Sequence, residues 1–194
     1  MPSDGERRRT YRVSQHRALN TYALLGNASW HALQDGRERV KGSFFEWMTA
    51  GVFAAFSLEA YLNHLGERRI RHWGRIERGL SVSEKLDLLL ADLGQAPDLS
   101  RRPFQTVSEL VKFRNELAHG KTQRLSETST RKLFSGQSIP EPLTWWERQC
   151  TERGATRFHE DVRAVIEQLH AWAGLDALGL FSPGECETMM IAQR

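Results

Sequence analysis

Residues 44–65 read FFEWMTAGVFAAFSLEAYLNHL. Phe44, Phe45, Trp47, Met48, Val52, Phe53, Phe56, Leu58, Tyr61, Leu62 and Leu65 fall all around a helical wheel, which is the pattern of a helix buried on most sides. Ala50, Gly51, Ala54, Ala55 and Ser57 are small enough to let neighbouring helices approach closely. The uncharged run between Glu46 and Glu59 is a dozen residues, short of the roughly 20 that cross a bilayer. The stretch is therefore expected to be the central helix of a bundle, with Gly66 as its C-terminal stop.

Working outward, Leu19, Tyr22, Ala23, Trp30 and Leu33 recur at helical spacing and predict one helix over 11–34, ended by Asp35-Gly36. Residues 1–10 are polar and arginine-rich with no apolar run behind them, so a flexible arm is expected rather than a signal peptide. On the other side, Ile70, Trp73 and Ile76 suggest a short packed helix within 67–80. Ser81 and Glu84 have capping-box spacing ahead of Leu86, Leu89, Leu90 and Leu93, predicting an amphipathic helix that stops at Gly94. A further helix is predicted from near Pro103 to about His119, with Gly120 as terminator.

From 121 to 156 the periodicity disappears, and Pro140 and Pro142 exclude a long helix. A loop or short hairpin returning Leu143, Trp145 and Trp146 to the bundle is expected. Phe158, Val162, Val165, Leu169 and Trp172 step by four, three, four and three, predicting a last long helix closed by Gly174. Residues 176–194 read as a loosely held tail. With no βαβ alternation and no internal repeat, the fold class is all-α: one helical domain over 11–175, a bundle of about five helices with an irregular insertion at 121–156.

At 194 residues, 40% hydrophobic and 26% charged, the composition is that of a soluble globular protein. Cys150 and Cys186 have neither metal-binding nor redox spacing, so a cytoplasmic setting is the default. The formal charge of +3 is segregated: +5 over 1–75, −3 over 76–100, +5 over 101–132 and −4 over 133–194. The basic block at 101–132 favours a polyanionic partner, while the acidic blocks argue against a general nucleic-acid coat.

That basic block contains Lys112-Phe113-Arg114-Asn115-Glu116-Leu117-Ala118-His119-Gly120-Lys121. On the wheel, Val107, Leu110, Val111, Phe113, Leu117 and Ala118 make one broad apolar face. Arg114 falls inside it, about 40° from Leu110, and His119 lies at its far edge. A cation aimed into a packing surface is costly unless something there needs its charge. The chain has no glycine-rich phosphate loop, HExxH, CxxC or nucleophile elbow, and no converging carboxylates, so no metal or cofactor is expected. His159-Glu160-Asp161 reads as a solvated face. Histidine moves protons near neutrality, and the guanidinium fork matches phosphate oxygens; together they suit metal-free phosphodiester cleavage in RNA. One histidine does not comfortably make both proton transfers of a turnover, whereas two copies across a two-fold axis would. The plain alternative is structural: an Arg114–Glu59 ion pair, and His119 as a cation facing the helix dipole.

Arg-Asn-Glu-Leu-Ala-His-Gly at 114–120 resembles the RxxxxH signature of HEPN domains, including the polar residue directly after the arginine. The apolar helix running through Phe56-Ser57-Leu58-Glu59-Ala60-Tyr61-Leu62-Asn63 and the final amphipathic helix fit the same family, so the resemblance covers roughly 11–175. It implies a homodimer whose two motifs meet in a basic cleft. Many members are metal-independent RNA endonucleases that leave cyclic phosphate ends and act as toxins of toxin–antitoxin pairs or in defence against phage. By that resemblance Arg114 and His119 are catalytic, Asn115 orients them or the substrate, and Glu59 is a supporting acid. Lys112, Lys121 and Arg124 are candidate RNA contacts. It also implies an antitoxin or other partner protein; from the shortness of the apolar run, no membrane partner is expected. The alternative is a non-catalytic HEPN-like module that binds nucleotide, RNA or a partner protein.

Overall fold

The computed structural model describes residues 10–39, 41–130, 132, 134 and 136–192. It is mostly helical with one two-stranded sheet. In chain order the elements are β1 (Tyr11–Leu19), α1 (Thr21–Glu38), α2 (Phe44–Arg69), α3 (Trp73–Ile76), α4 (Val82–Asp92), α5 (Gln105–Ala118), α6 (Glu152–Trp172) and β2 (Gly184–Ala192).

The central position expected for the 44–65 stretch is where α2 lies. It buries Ala50, Gly51, Ala54, Ala55, Ser57, Leu58, Tyr61, Leu62 and Leu65, and α1, α3, α4, α5 and α6 all pack on it. α1 runs antiparallel to it: Ser57 Oγ donates to Tyr22 O (2.8 Å) near one end and Ser29 Oγ to Ala50 O (2.9 Å) further along. Two glycines expected to end helices instead lie inside or against packed contacts. A Cβ on Gly66 would sit 2.2 Å from the Trp73 indole, so α2 continues beneath that ring to Arg69. A Cβ on Gly36 would sit 2.6 Å from Trp47, and α1 likewise runs through Asp35-Gly36 to Glu38. In both, glycine supplies room for an indole, and tertiary contact outweighs its weak helix propensity.

α4 carries the predicted capping box: Ser81 Oγ accepts from Glu84 N (3.3 Å) and Glu84 Oε2 from Ser81 N (2.7 Å). These bonds hold the Glu84 carboxyl below its usual pKa. The glutamate's contribution is thus present above the ordinary carboxylate range and is lost as pH falls through the lowered folded value. Ser81→Ala is expected to destabilise the protein by about 0.5–2 kcal/mol in urea titrations, and by less in strong acid, where the box is already half undone.

α6 begins on an N-cap in which Thr151 Oγ1 accepts from Gly154 N (3.1 Å). It buries Phe158, Val162, Val165, Ile166 and Leu169 and ends before Gly174, whose φ is +67°. Its C-terminal end is tied to α2 through His170. The His170 Nε2–H donates to Asp176 O (2.8 Å), which leaves Nδ1 to accept from the Tyr61 hydroxyl (3.0 Å). Among the described residues of 121–151 the only regular piece is a 3₁₀ turn at Glu147–Gln149, and no strand pairs with another there, so the described residues form a loop rather than a hairpin. It ends at Thr151, not 156. Trp145 and Trp146 do return to the core, Trp146 meeting Phe44 with ring centroids 6.2 Å apart, while Leu143 stays exposed.

The two ends of the chain add a small sheet to the mostly helical architecture that was expected. Residues 11–19 form a strand rather than the first turns of a helix, and the expected tail forms its partner. β1 and β2 pair antiparallel from Leu19↔Gly184 to Tyr11↔Ala192. Asn20 holds the junction, its N–H donating to Pro183 O (2.9 Å) and its Nδ2 to Ser182 O (3.0 Å). The only local strand signal is the short alternation of Tyr11 and Val13 with Arg12 and Ser14, and the partner lies more than 160 residues away in sequence. Of the arm expected at 1–10, residues 1–9 lie outside the described residues. No helix among the described residues is long and apolar enough to cross a membrane.

Candidate functional site

α5 is oriented by Thr106, Val107, Leu110 and Phe113, which are buried. Phe113 is the anchor: its ring meets Phe158 at 5.3 Å and lies over Gly51, where a Cβ would come within 2.9 Å. With Phe113 in the core, the next residue turns by about 100° toward the flank of α2. Arg114 therefore lies half-buried beside Glu59, with Nη2 3.1 Å from Glu59 Oε2 and Nη1 donating to Asn115 Oδ1 at 2.9 Å.

Glu59 is not Arg114's alone. Its other oxygen, Oε1, accepts from Lys85 Nζ at 3.1 Å. Lys85 is 4% exposed, against 32% for the Arg114 side chain. One carboxylate thus serves two cations, and the three groups carry a formal +1. An unpaired buried ammonium is strongly disfavoured, so the Lys85–Glu59 contact holds the carboxylate in place. Arg114 makes only a one-point contact with it and keeps further N–H donors. Sequence reading overlooked Lys85, although it stands four residues before Leu89 and so on the buried face of α4.

The cleft beside Arg114 is shallow, about 20 Å³, and lined by Ala55, Leu58, Val82, Leu110 and Val111. That is room for about one water. Any phosphate would have to meet Arg114 at the mouth of the cleft. His119 is the residue just past α5; its N–H bonds to Asn115 O (2.9 Å), and its exposed side chain forms no hydrogen bond among the described residues. No hydrogen bond joins Arg114 to His119 within one chain. Gly120 follows because a Cβ there would approach Glu116 O to 2.8 Å.

The three candidate RNA contacts differ. Lys112 is engaged within the chain, its Nζ 4.3 Å above the Trp145 ring centroid and 3.8 Å from Glu116 Oε1. Lys121 and Arg124 are exposed in the irregular segment after α5.

The trio at 159–161 is not a solvated face. Asp161 is buried and takes a two-pronged contact from Arg102, both arms 2.7 Å, together with the Thr106 hydroxyl at 2.5 Å. His159 is partly buried, with Nδ1 3.1 Å from Ser29 Oγ. Because the Ser29 proton goes to Ala50 O, His159 Nδ1–H must be the donor, leaving Nε2 as an acceptor. Burial, then Arg163 and Arg37, lower the His159 pKa. Only Glu160 remains exposed. His159 borders a cavity of about 240 Å³ between α1, α2 and α6 that also touches Trp30 and Arg163. Among the described residues no three His, Cys, Asp or Glu side chains group as a metal site.

No protein-family model, curated protein or solved structure matches this chain.

Proposed function

We propose that the chain is one protomer of a HEPN-like, metal-independent RNA endonuclease whose working site is composed of two motifs across a two-fold axis. The observation that carries this reading is the divided pairing of Glu59: Lys85 holds the carboxylate, and Arg114 is left with a single contact to it, a bond to Asn115, spare donors and a net positive surround at the mouth of a cleft. In the reaction one His119 accepts the ribose 2′-hydroxyl proton and the 2′-oxygen attacks phosphorus. The P–O5′ bond breaks, and the 5′-oxygen takes a proton from the partner's His119. The products are a 2′,3′-cyclic phosphate and a 5′-hydroxyl. Arg114 stabilises the crowded phosphorane, Asn115 holds the guanidinium in plane, and Lys121 and Arg124 steer the strand. A toxin or phage-defence effector acting in the cytoplasm, restrained by an antitoxin or other partner, suits that chemistry.

The test is cleavage of single-stranded RNA in excess chelator, beside the same strand carrying 2′-deoxyribose throughout. The RNA is expected to be cut to cyclic-phosphate ends and the deoxy strand to survive. Cutting of both at similar rates would eliminate the 2′-hydroxyl as nucleophile. Mixing increasing amounts of His119→Ala chain into the natural sequence is expected to lower cleavage more steeply than in proportion to the added chain, because a mixed dimer keeps only one of the two histidines.

A second reading, a non-catalytic module that binds RNA, nucleotide or a partner protein, draws on the same Arg114–Glu59 contact read as a purely structural ion pair. It predicts binding without cutting.

A further inference from the structure

The ribbon made by the two ends of the chain is the least satisfied part of the fold. Every residue of β1 is exposed, and in β2 only Gly184 is even partly covered. Two strands without a third, and without a helix against them, are marginal in water. Yet this ribbon leaves Tyr11, Val13, Met189, Met190 and Ile191 outside, between 47% and 66% exposed. We infer that the free edge of β2 pairs antiparallel with β2 of a second copy of this chain, making a four-stranded sheet in the order β1-β2-β2-β1.

Register argues for a second copy. A two-fold axis normal to an antiparallel pair must pass through a residue position, since opposed side chains point to the same face. Only an axis at Thr188 overlaps all nine residues of Gly184–Ala192. It sets Glu187 opposite Met189 of the other copy, Glu185 opposite Ile191, Cys186 opposite Met190 and Thr188 opposite itself. No glutamate faces a glutamate. Moving the axis one position toward the N-terminus opposes Glu187 to itself, and moving it two opposes Glu185 to Glu187 twice; like charges directly across a pair are destabilising. Moving it the other way shortens the overlap of described residues to seven.

The β2 edge is favoured over the β1 edge because β1 carries Arg12 and Arg17, and cations blunt an edge strand. Pairing through β2 also moves Met189, Met190 and Ile191, the most exposed apolar residues of the ribbon, into the two central strands. Arg12, Arg17, Glu185 and Glu187 cancel, so the described ribbon has no net attraction for an anionic surface. This pairing does not depend on the ribonuclease reading.

Thr188→Lys places two lysines opposite each other across the axis, while within the chain its neighbour on β1 is the neutral Gln15. It is expected to halve the mass in solution at micromolar concentration. Gln15→Lys is expected to leave the mass unchanged, and a mixture of Thr188→Lys and Thr188→Glu chains to restore it. Met190→Cys reads the register directly. Positions 186 and 190 of one strand are about 13 Å apart, too far for a disulfide, whereas opposed residues of an antiparallel pair lie within reach. Oxidised glutathione is expected to link Met190→Cys chains in pairs through Cys186, above the level seen for the natural sequence, and to stop doing so when Thr188→Lys is added. An unchanged mass in Thr188→Lys, or no added linkage in Met190→Cys, would overturn the pairing. So would sedimentation with phosphatidylserine vesicles that survives Thr188→Lys, which would assign the ribbon to a membrane surface instead. If Thr188→Lys halves the mass while RNA cleavage persists, the ribbon pairing stands and the catalytic assembly lies elsewhere.

Discussion

Replacing Arg114 with alanine is expected to lower RNA cleavage in chelator about 10²–10³-fold, the usual effect of removing one preorganised donor from a developing oxyanion. Arg114→Lys is expected to recover little, because a single ammonium cannot reproduce the two-pronged contact of the guanidinium. The fold should tolerate both changes. The Arg114 side chain is a third exposed, and Glu59 retains Lys85 when the guanidinium is removed. The lost ion pair is then of the kind worth about 0–1 kcal/mol, so melting should shift by only a few degrees at most, roughly 2–4 °C per kcal/mol for a chain of this size. Cleavage equal to that of the natural sequence would remove Arg114 from the chemistry. Lost cleavage together with a collapsed melting transition would show instead that the Arg114–Glu59–Lys85 cluster is structural.

One residue earlier the balance reverses. Phe113→Ala is expected to cost about 3–5 kcal/mol, because Phe113 is 1% exposed and its ring fills the space between Gly51 and Phe158. At roughly 2–4 °C per kcal/mol the melting temperature should fall by about 6–20 °C. Phe45→Ala is the control: that ring is 67% exposed, and a change there should stay within about 0.5 kcal/mol. Urea unfolding with an unchanged m-value would assign the Phe113 loss to the native core. A loss below about 1 kcal/mol would mean that α5 does not seat on α2 and α6 as described. Adjacent positions on α5 thus divide the work. Phe113 sets the rotation of the helix, and that rotation carries Arg114 to Glu59.

Much of this arrangement is legible in local sequence. Ser81 and Glu84 make their capping box because both partners are three residues apart. α6 follows the four–three stepping from Phe158 to Trp172, and α2 is central because its apolar residues leave no polar stripe. Lys85 and Asp161 were also legible in principle. Each stands three or four residues from buried apolar neighbours, Leu89 in one case and Phe158 and Val165 in the other. Their burial depends on partners in other elements: Glu59 for Lys85, Arg102 and Thr106 for Asp161. A charged residue on an apolar face therefore marks a paired cation or anion without naming its partner.

By itself the sequence determined which segments become helices, where most of them begin and which faces they bury. Those outcomes rest on contacts and bonds within a few residues. The tertiary structure alone decided that Gly36 and Gly66 are seats for indoles rather than helix ends, that Glu59 is divided between Lys85 and Arg114, and that residues 11–19 leave the helical pattern to pair with 184–192. Each of these depends on a group that arrives from elsewhere in the chain, and its free energy exceeds the local preference it overrides.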